Sequence, residues 1–319
     1  MKSFSRNFSL LMLIVAVCSV FTLSSCSKDD KIVTPTGGVT DIVVNGSLAP
    51  TSNSTAEGNL FVTDQDGNPL TISSGDVSAV MNWTTDISSQ GSVNITSTVS
   101  QDIAAAITMD YSGSMSQQNI ECMENGVTAY VNAMGLTDIA EIIKFSTLVT
   151  VVQGFTSNKT DLLNAVQSND PSAGSTALYE SIYKATQDVA LQNPNFLRTV
   201  IAFTDGQENA STVSRSAMIT EALTSGIPIF TVTLLNTTSE DMQNIADTTG
   251  GFAFTIDPDS CGNITNIYAQ INNQFNNAYK MSITWPANEM PPSGTSVTVT
   301  ITVTTLGITK AFDKTYLIP

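Results

Sequence analysis

The sequence predicts an α/β fold, a mostly parallel sheet with helices on both faces, set within or between β-rich flanks that make a small β-sandwich. Three observations predict it. The middle of the chain, 103–280, alternates buried-strand runs with helical patterns, the signature of a parallel sheet. Residues 41–102 and 281–319 carry short β-branched runs separated by turn residues instead. Each flank is small for an independent sheet, so the two are expected to pair with one another.

In the N-terminal flank, Asp41-Ile42-Val43-Val44, Asn59-Leu60-Phe61-Val62 and Ser92-Val93-Asn94-Ile95 read as strands, with a turn at Asp66-Gly67-Asn68-Pro69. Ile103 to Asp110 is an apolar run ending in Asp, a buried strand. Residues 116–134 are helical up to Gly135. Glu141–Ser146 and Val149–Gly154 form a strand pair around a tight turn. Segments 159–167 and 176–192 are helical, Leu197–Thr204 is a buried strand, and 214–225 is a helix stopped by Gly226. Then follow a strand at 227–234, a helix at 239–248, a strand at 251–256 and a long helix at 263–279. In the C-terminal flank, 296–303 alternates Ser or Thr with aliphatics, a half-buried strand, and 315–318 is a last short one.

The bulk numbers narrow the function. The chain has 319 residues, of which 41% are hydrophobic, enough for a packed core. Its formal net charge of −16 repels phosphate backbones, which argues against nucleic acid. It contains no histidine, which removes Ser-His-Asp and Cys-His catalysis and the usual zinc ligand sets. A non-enzymatic role is expected.

The N-terminus reads as an address. Lys2 and Arg6 precede an apolar stretch from Phe8 to Leu23, too short for an ordinary membrane span. Leu23-Ser24-Ser25-Cys26 resembles the bacterial lipobox, which implies cleavage of residues 1–25 and lipidation of Cys26. Ser27-Lys28-Asp29-Asp30 resembles a tag that exports some lipoproteins to the outer face of the outer membrane. Residues 26–40 then form a lipidated flexible tether. The expected place is therefore a lipid anchor on the outer membrane, exposed at the surface. Beyond the signal and Cys26, Cys122 and Cys261 remain, a pair that can close a disulfide or stay as two buried thiols.

Three separated pieces carry the chemistry: Asp110-Tyr111-Ser112-Gly113-Ser114, Gly174-Ser175-Thr176 and Thr204-Asp205-Gly206. Asp110, Ser112, Ser114, Thr176 and Asp205 supply two carboxylates and three hydroxyls, hard oxygen donors that suit Mg²⁺, Mn²⁺ or Ca²⁺. Asp110, Ser112 and Ser114 alternate, so one loop can turn them to a common point, and Gly113 gives that loop its freedom. In a sheet ordered 3-2-1-4-5-6, strands one and four are neighbours whose connections part, and the crevice opens at their carboxyl ends. Asp110 and Asp205 sit there.

These pieces, with Ala106–Met115, Gly174–Tyr179 and Phe203–Gly206 around them, resemble the metal-ion-dependent adhesion site of the von Willebrand factor type A family. The resemblance spans about 103–280. It implies a Rossmann-like domain holding one divalent cation, Mg²⁺ first among candidates. Ser112 and Ser114 would ligate directly, Asp110 through water, and Thr176 and Asp205 by either route with conformational state. It also implies a protein partner offering an Asp or Glu carboxylate. Tyr111 and Met115 either pack or sit on the ligand rim; Gln207, with Glu208 and Asn209 after it, either shapes that rim or belongs to a solvated loop. Two alternatives remain beside adhesion: an assembly module in which the metal only stabilises the fold, and metal-assisted hydrolysis, for which no general base is evident. Members of the adhesion type also move their last helix, here 263–279, which runs almost directly into the C-terminal flank. The sequence leaves the oligomeric state open.

Overall fold

The computed structural model describes residues 38–84, 87–97, 101–168, 171, 173–205, 207–234, 239–256 and 263–319. The expected leader, Cys26, most of the tether and Cys261 lie outside the described residues.

The central sheet takes β6 (Ile103–Asp110), β7 (Ile139–Phe145), β8 (Val149–Thr156), β9 (Leu197–Thr204), β10 (Ile229–Leu234) and β11 (Ala253–Ile256), side by side in the order β11-β10-β9-β6-β7-β8. Every pair is parallel except β7 with β8. All eight residues of β6 are buried, which explains its unbroken apolar reading. One face is covered by α1 (Gln117–Ala133), α2 (Lys159–Val166) and α6 (Ile264–Asn276). The other is covered by α3 (Leu178–Ala190), α4 (Arg215–Ser225) and α5 (Ser239–Thr249). Local signals set the helix ends. Ser116 and Ser214 accept from the amides of Asn119 and Ala217 at the starts of α1 and α4, and Gly226 ends α4 with φ of 66°. Gly126 lets α1 meet α6: a Cβ there would lie 2.5 Å from the Tyr268 ring.

The second sheet interleaves the flanks. β1 (Ile42–Gly46), β2 (Ala49–Ser52), β3 (Thr55–Asp64), β4 (Val77–Thr84) and β5 (Ile87–Ser97) precede the central domain. β12 (Tyr279–Thr284), β13 (Ser296–Thr305) and β14 (Ile308–Leu317) follow it. Their order is β1-β3-β12-β5-β4-β13-β14, with β2 beside β3. β12 lies between β3 and β5, and β13 lies beside β4, all antiparallel.

The expected small β-sandwich is corrected here to one nearly closed sheet. β5 pairs with β4 through its first half and with β12 through its second, so it carries the ladder round the corner instead of ending one layer. The free edges approach each other. Lys310 of β14 pairs with Asp41 at 3.0 Å, and Gly46 of β1 sits against the Phe312 ring. Inside lie Leu60, Met81, Met281, Ile283, Trp285, Val299 and Ile301.

The two sheets share a seam. Phe61 of β3 packs edge-on against Phe230 and Phe252, with ring centres 5.4 and 6.0 Å away, and so belongs to the core of the central sheet. Lys314 of β14 is buried and donates to the carbonyls of Asp247 and Thr248 at 3.0 and 2.8 Å, the electronegative end of α5. Asn45 donates to Gly251 O at 2.6 Å. α6 passes into β12 within three residues. Cys122 is disulfide-bonded. Among the described residues, no helix is long and apolar enough to cross a membrane.

Candidate metal centre

Parallel pairing sets Asp110 level with Phe145 and Met109 level with Phe203, so β6 and β9 deliver their last residues to the same rim of the sheet. Asp110 is fully buried there. Its Oδ1 accepts from the Ser112 amide at 2.7 Å, and its Oδ2 accepts from Thr204 Oγ1 at 2.6 Å. Ser112 Oγ and Ser114 Oγ are 3.1 Å apart, and Ser114 Oγ donates to Asp205 Oδ1 at 2.8 Å. Asn119 Nδ2, one turn into α1, donates to Asp205 Oδ2 at 3.2 Å.

Asp110, Ser112, Ser114 and Asp205 thus meet in one hydrogen-bonded group. Thr176 comes to it through the backbone. Gly113 N donates to Gly174 O at 2.8 Å, an approach that a Cβ on Gly113 would crowd at 3.3 Å from the same oxygen. Thr176 itself is buried. Its amide donates to Asn209 Oδ1 at 2.8 Å, and its carbonyl accepts from the amides of Asn209 and Ala210. The turn between β7 and β8 braces this loop, since Ser175 N donates to Thr147 Oγ1 at 2.9 Å.

Burial pushes the Asp110 carboxyl above the ordinary carboxylate range. The Thr204 and Ser112 hydrogen bonds pull the other way, and the nearby Asp205 charge adds to the rise. Two carboxylates drawn together with hydroxyls between them form a donor set that a divalent cation would neutralise and that suits a hard ion. Among the described residues no three His, Cys, Asp or Glu side chains gather as a metal site, so the hydroxyls must complete any such set.

Of the two readings of Tyr111 and Met115, packing holds and the rim does not. Tyr111 is 2% exposed and Met115 is 7% exposed. Tyr111 points inward because Lys144 Nζ sits 4.6 Å from its ring centre and its hydroxyl donates to Glu124 Oε1 at 2.9 Å. Lys144 is itself buried, donating to the carbonyls of Val166 and Ser168 beyond the end of α2. Met115 joins the core beneath the loop. Gln207 is exposed beside the site.

Several contributors escaped the sequence reading. Thr204 fixes the second oxygen of Asp110, and its position directly before Asp205 at a strand end was the available signal. Asn119 left none, because the contact it makes spans 86 residues, while Asn209 and Glu208 were legible only as neighbours of Asp205 and not by the contacts they make. Glu208 accepts from Tyr179 N, Ala210 N and Ser211 N, tying the loop after β9 to the start of α3.

No curated protein matches the chain. Solved structures do. Proximal thread matrix protein 1 from the mussel byssus, with zinc occupying its MIDAS motif, is 20% identical with a TM-score of 0.50. The match covers 60% of this chain and 49% of that one, so this chain spans about half the mussel protein. A von Willebrand factor type A protein from Catenulispora acidiphila is 10% identical over 87% of this chain and 72% of its own, with a TM-score of 0.49. Conserved hypothetical protein BatB from Bacteroides thetaiotaomicron is 19% identical over 54% of this chain and 98% of its own, with a TM-score of 0.45. The sequence profile of the von Willebrand factor type A domain matches residues 105–270, just over half of the chain, and with the α/β sheet described above it shows that the chain belongs to the von Willebrand factor type A domain family.

Proposed function

We propose that this chain is a surface lipoprotein that captures a protein partner through one divalent cation held by Asp110, Ser112, Ser114, Thr176 and Asp205. The observation that carries the reading is the convergence of Asp110, Ser112, Ser114 and Asp205 in one hydrogen-bonded group at the sheet rim. A cation bound there supplies an electrophilic centre for an acidic side chain of the partner. Mg²⁺ is the first candidate. The zinc-occupied motif of the mussel protein supports a divalent ion without choosing among them.

The chain's own residues do the rest. Thr204 and the Ser112 amide occupy both oxygens of Asp110, fixing the orientation of its carboxyl group at the bottom of the site. Asn119 orients Asp205, and Asn209 locks the backbone of Thr176, so the donors are positioned before any ion arrives. No histidine stands in the sequence to take a proton, which favours binding over turnover. A lipid on Cys26 would hold this apparatus on the outer membrane, facing outward.

The test titrates Mg²⁺, Mn²⁺ and Ca²⁺ calorimetrically into the protein and into Asp110→Ala, then adds acidic peptides. One ion per chain, loss of that binding in the variant with circular dichroism unchanged, and competition for the bound ion's open position by Asp- or Glu-bearing peptides are expected. Absence of ion binding, or equal binding by Asp110→Ala, defeats the proposal. Ion binding that only raises the melting temperature, with no carboxylate competition, would point to a stabilising metal in an assembly module.

A further inference from the structure

At the opposite edge of the parallel sheet, where β9 begins, an open pocket of about 260 Å³ lies in the seam between the two sheets. Pro50 of β2, Glu57 of β3 and Lys280 of β12 line it from the antiparallel sheet. Pro194 and Phe196, just before β9, and Arg198 of β9 line it from the central domain. The chain has 12 basic residues against 28 acidic ones, so two cations facing one pocket run against the overall charge.

Arg198 is the unusual member. It is half-buried, and its Nη1 donates to Ala190 O at 2.8 Å, a neutral carbonyl. Among the described residues no carboxylate pairs with it, whereas Lys184, Arg215, Lys280 and Lys310 each have one. Desolvation lowers its pKa, as expected of a guanidinium whose charge the protein leaves uncompensated. Its planar fork carries five N–H groups, most of them available for a second partner. Lys280 Nζ stands 3.9 Å from Glu57 Oε2, a loose exposed pair that yields little energy and can open. Pro50, Pro194 and Phe196 add an apolar wall.

We infer that this seam pocket binds a small carboxylate with an apolar body. The carboxylate would lie on the Arg198 fork with Lys280 beside it, and the body would rest on Pro50, Pro194 and Phe196. Guanidinium and carboxylate match in shape and charge, so the contact is bidentate and directional. Glu57 opposes the ligand by competing for Lys280. Because the walls come from both sheets, an occupant ties the sheets together and raises the melting temperature of the whole chain. None of these residues belongs to the metal centre, so this site stands or falls separately from the proposed function.

The test measures Tm and calorimetric binding with sodium benzoate and sodium butyrate, at constant ionic strength, against benzamide and inorganic phosphate. Benzoate should raise Tm by a few degrees at millimolar concentration, while benzamide should leave it unchanged and phosphate should have a smaller effect. Arg198→Gln should weaken benzoate about tenfold, and Arg198→Lys should restore part of that loss. Glu57→Gln, an exposed change that spares the fold, should strengthen it about threefold. Chelator should leave the benzoate affinity unchanged. The inference is overturned if no carboxylate binds, if benzamide or phosphate matches benzoate, or if Glu57→Gln fails to strengthen binding.

Discussion

The central sheet is built from one continuous stretch, Ile103 to Ile256, whereas the antiparallel sheet takes β1–β5 from before that stretch and β12–β14 from after it. The central sheet is covered on both faces. It therefore buries polar groups as well as apolar ones: Thr108, Asp110, Glu141, Lys144 and Thr204 are all at or below 4% exposed. The antiparallel sheet buries a few polar groups, Asp64 and Lys314 among them, but sets much of its polar surface on a wet face. Thr298 meets Thr315, Thr300 meets Asp313 and Thr304 meets Thr309 across β13 and β14. A charge in the first environment is costly unless a specific partner meets it. A hydroxyl in the second is satisfied by its neighbour or by water. The candidate site lies in the sheet where polar groups are constrained, and the other sheet frames it.

That division would be deepest if the sheets were separate folding units, and Phe61 argues that they are not. It grows from β3 yet packs on Phe230 and Phe252. Phe61→Ala should remove about 3–5 kcal/mol, lowering one joint unfolding transition seen by calorimetry. Two resolved transitions, with only the one assigned to the antiparallel sheet shifted, would break the claim that the core is shared.

The same contrast governs what could be read from sequence. The strand at Ile103–Asp110 was legible because a doubly covered strand is apolar throughout, and α4 because Ser214 and Gly226 mark its ends. The motif residues that meet at the candidate site were legible because hard-donor chemistry confines the residue types. β4 went unread, and of β14 only the last residues were seen. Lys310 and Lys314 interrupt the apolar alternation of the β14 sequence, although Lys314 is buried in the fold, and its pairing with β13 rather than its composition makes it a strand. The single closed sheet was illegible for a related reason: Tyr279 pairs with Leu60 and Ser97, partners about 200 residues away. The choice between packing and rim for Tyr111 stayed open because Lys144, which draws its ring inward, lies far along the chain.

A titration sharpens the contrast next. Glu141 of β7 is buried, its Oε2 has no hydrogen-bond partner among the described residues, and burial, aided by Asp188, pushes its pKa up to about 8. The folded state holds a proton that the unfolded state releases near 4.5, so stability falls as pH climbs from about 4.5 to about 8. Glu141→Gln should match wild type at pH 4 and exceed it by about 2–4 kcal/mol at pH 9, read from urea unfolding at each pH. Lys314, at the seam, has the opposite sign. Burial holds its pKa down at about 8 against 10.5, so its folded form gives up a proton first and stability rises from about pH 8 to 10.5. Between them the two groups place a stability minimum near pH 8. A profile that is flat there, and equally flat in Glu141→Gln, would mean that the central sheet tolerates its buried charge as easily as the outer one.

The smallest effect lies at the far tip of the antiparallel sheet. β13 and β14 are joined by Leu306 and Gly307, with φ of 53° and 78°, two positive angles in a two-residue turn. Glycine takes this conformation freely. Leucine does not, because its Cβ crowds the following carbonyl. Leu306 is 66% exposed, so no packing offsets that strain. Leu306→Asn should therefore stabilise the chain by about 0.5–1 kcal/mol, since asparagine tolerates the left-handed region, with the shift visible as a small rise in the urea midpoint. Because the sheets share Phe61, the gain should appear in the same transition that Phe61→Ala lowers. If Leu306→Asn destabilises instead, the leucine makes a stabilising contact at this tip, and the outer sheet is more than a frame.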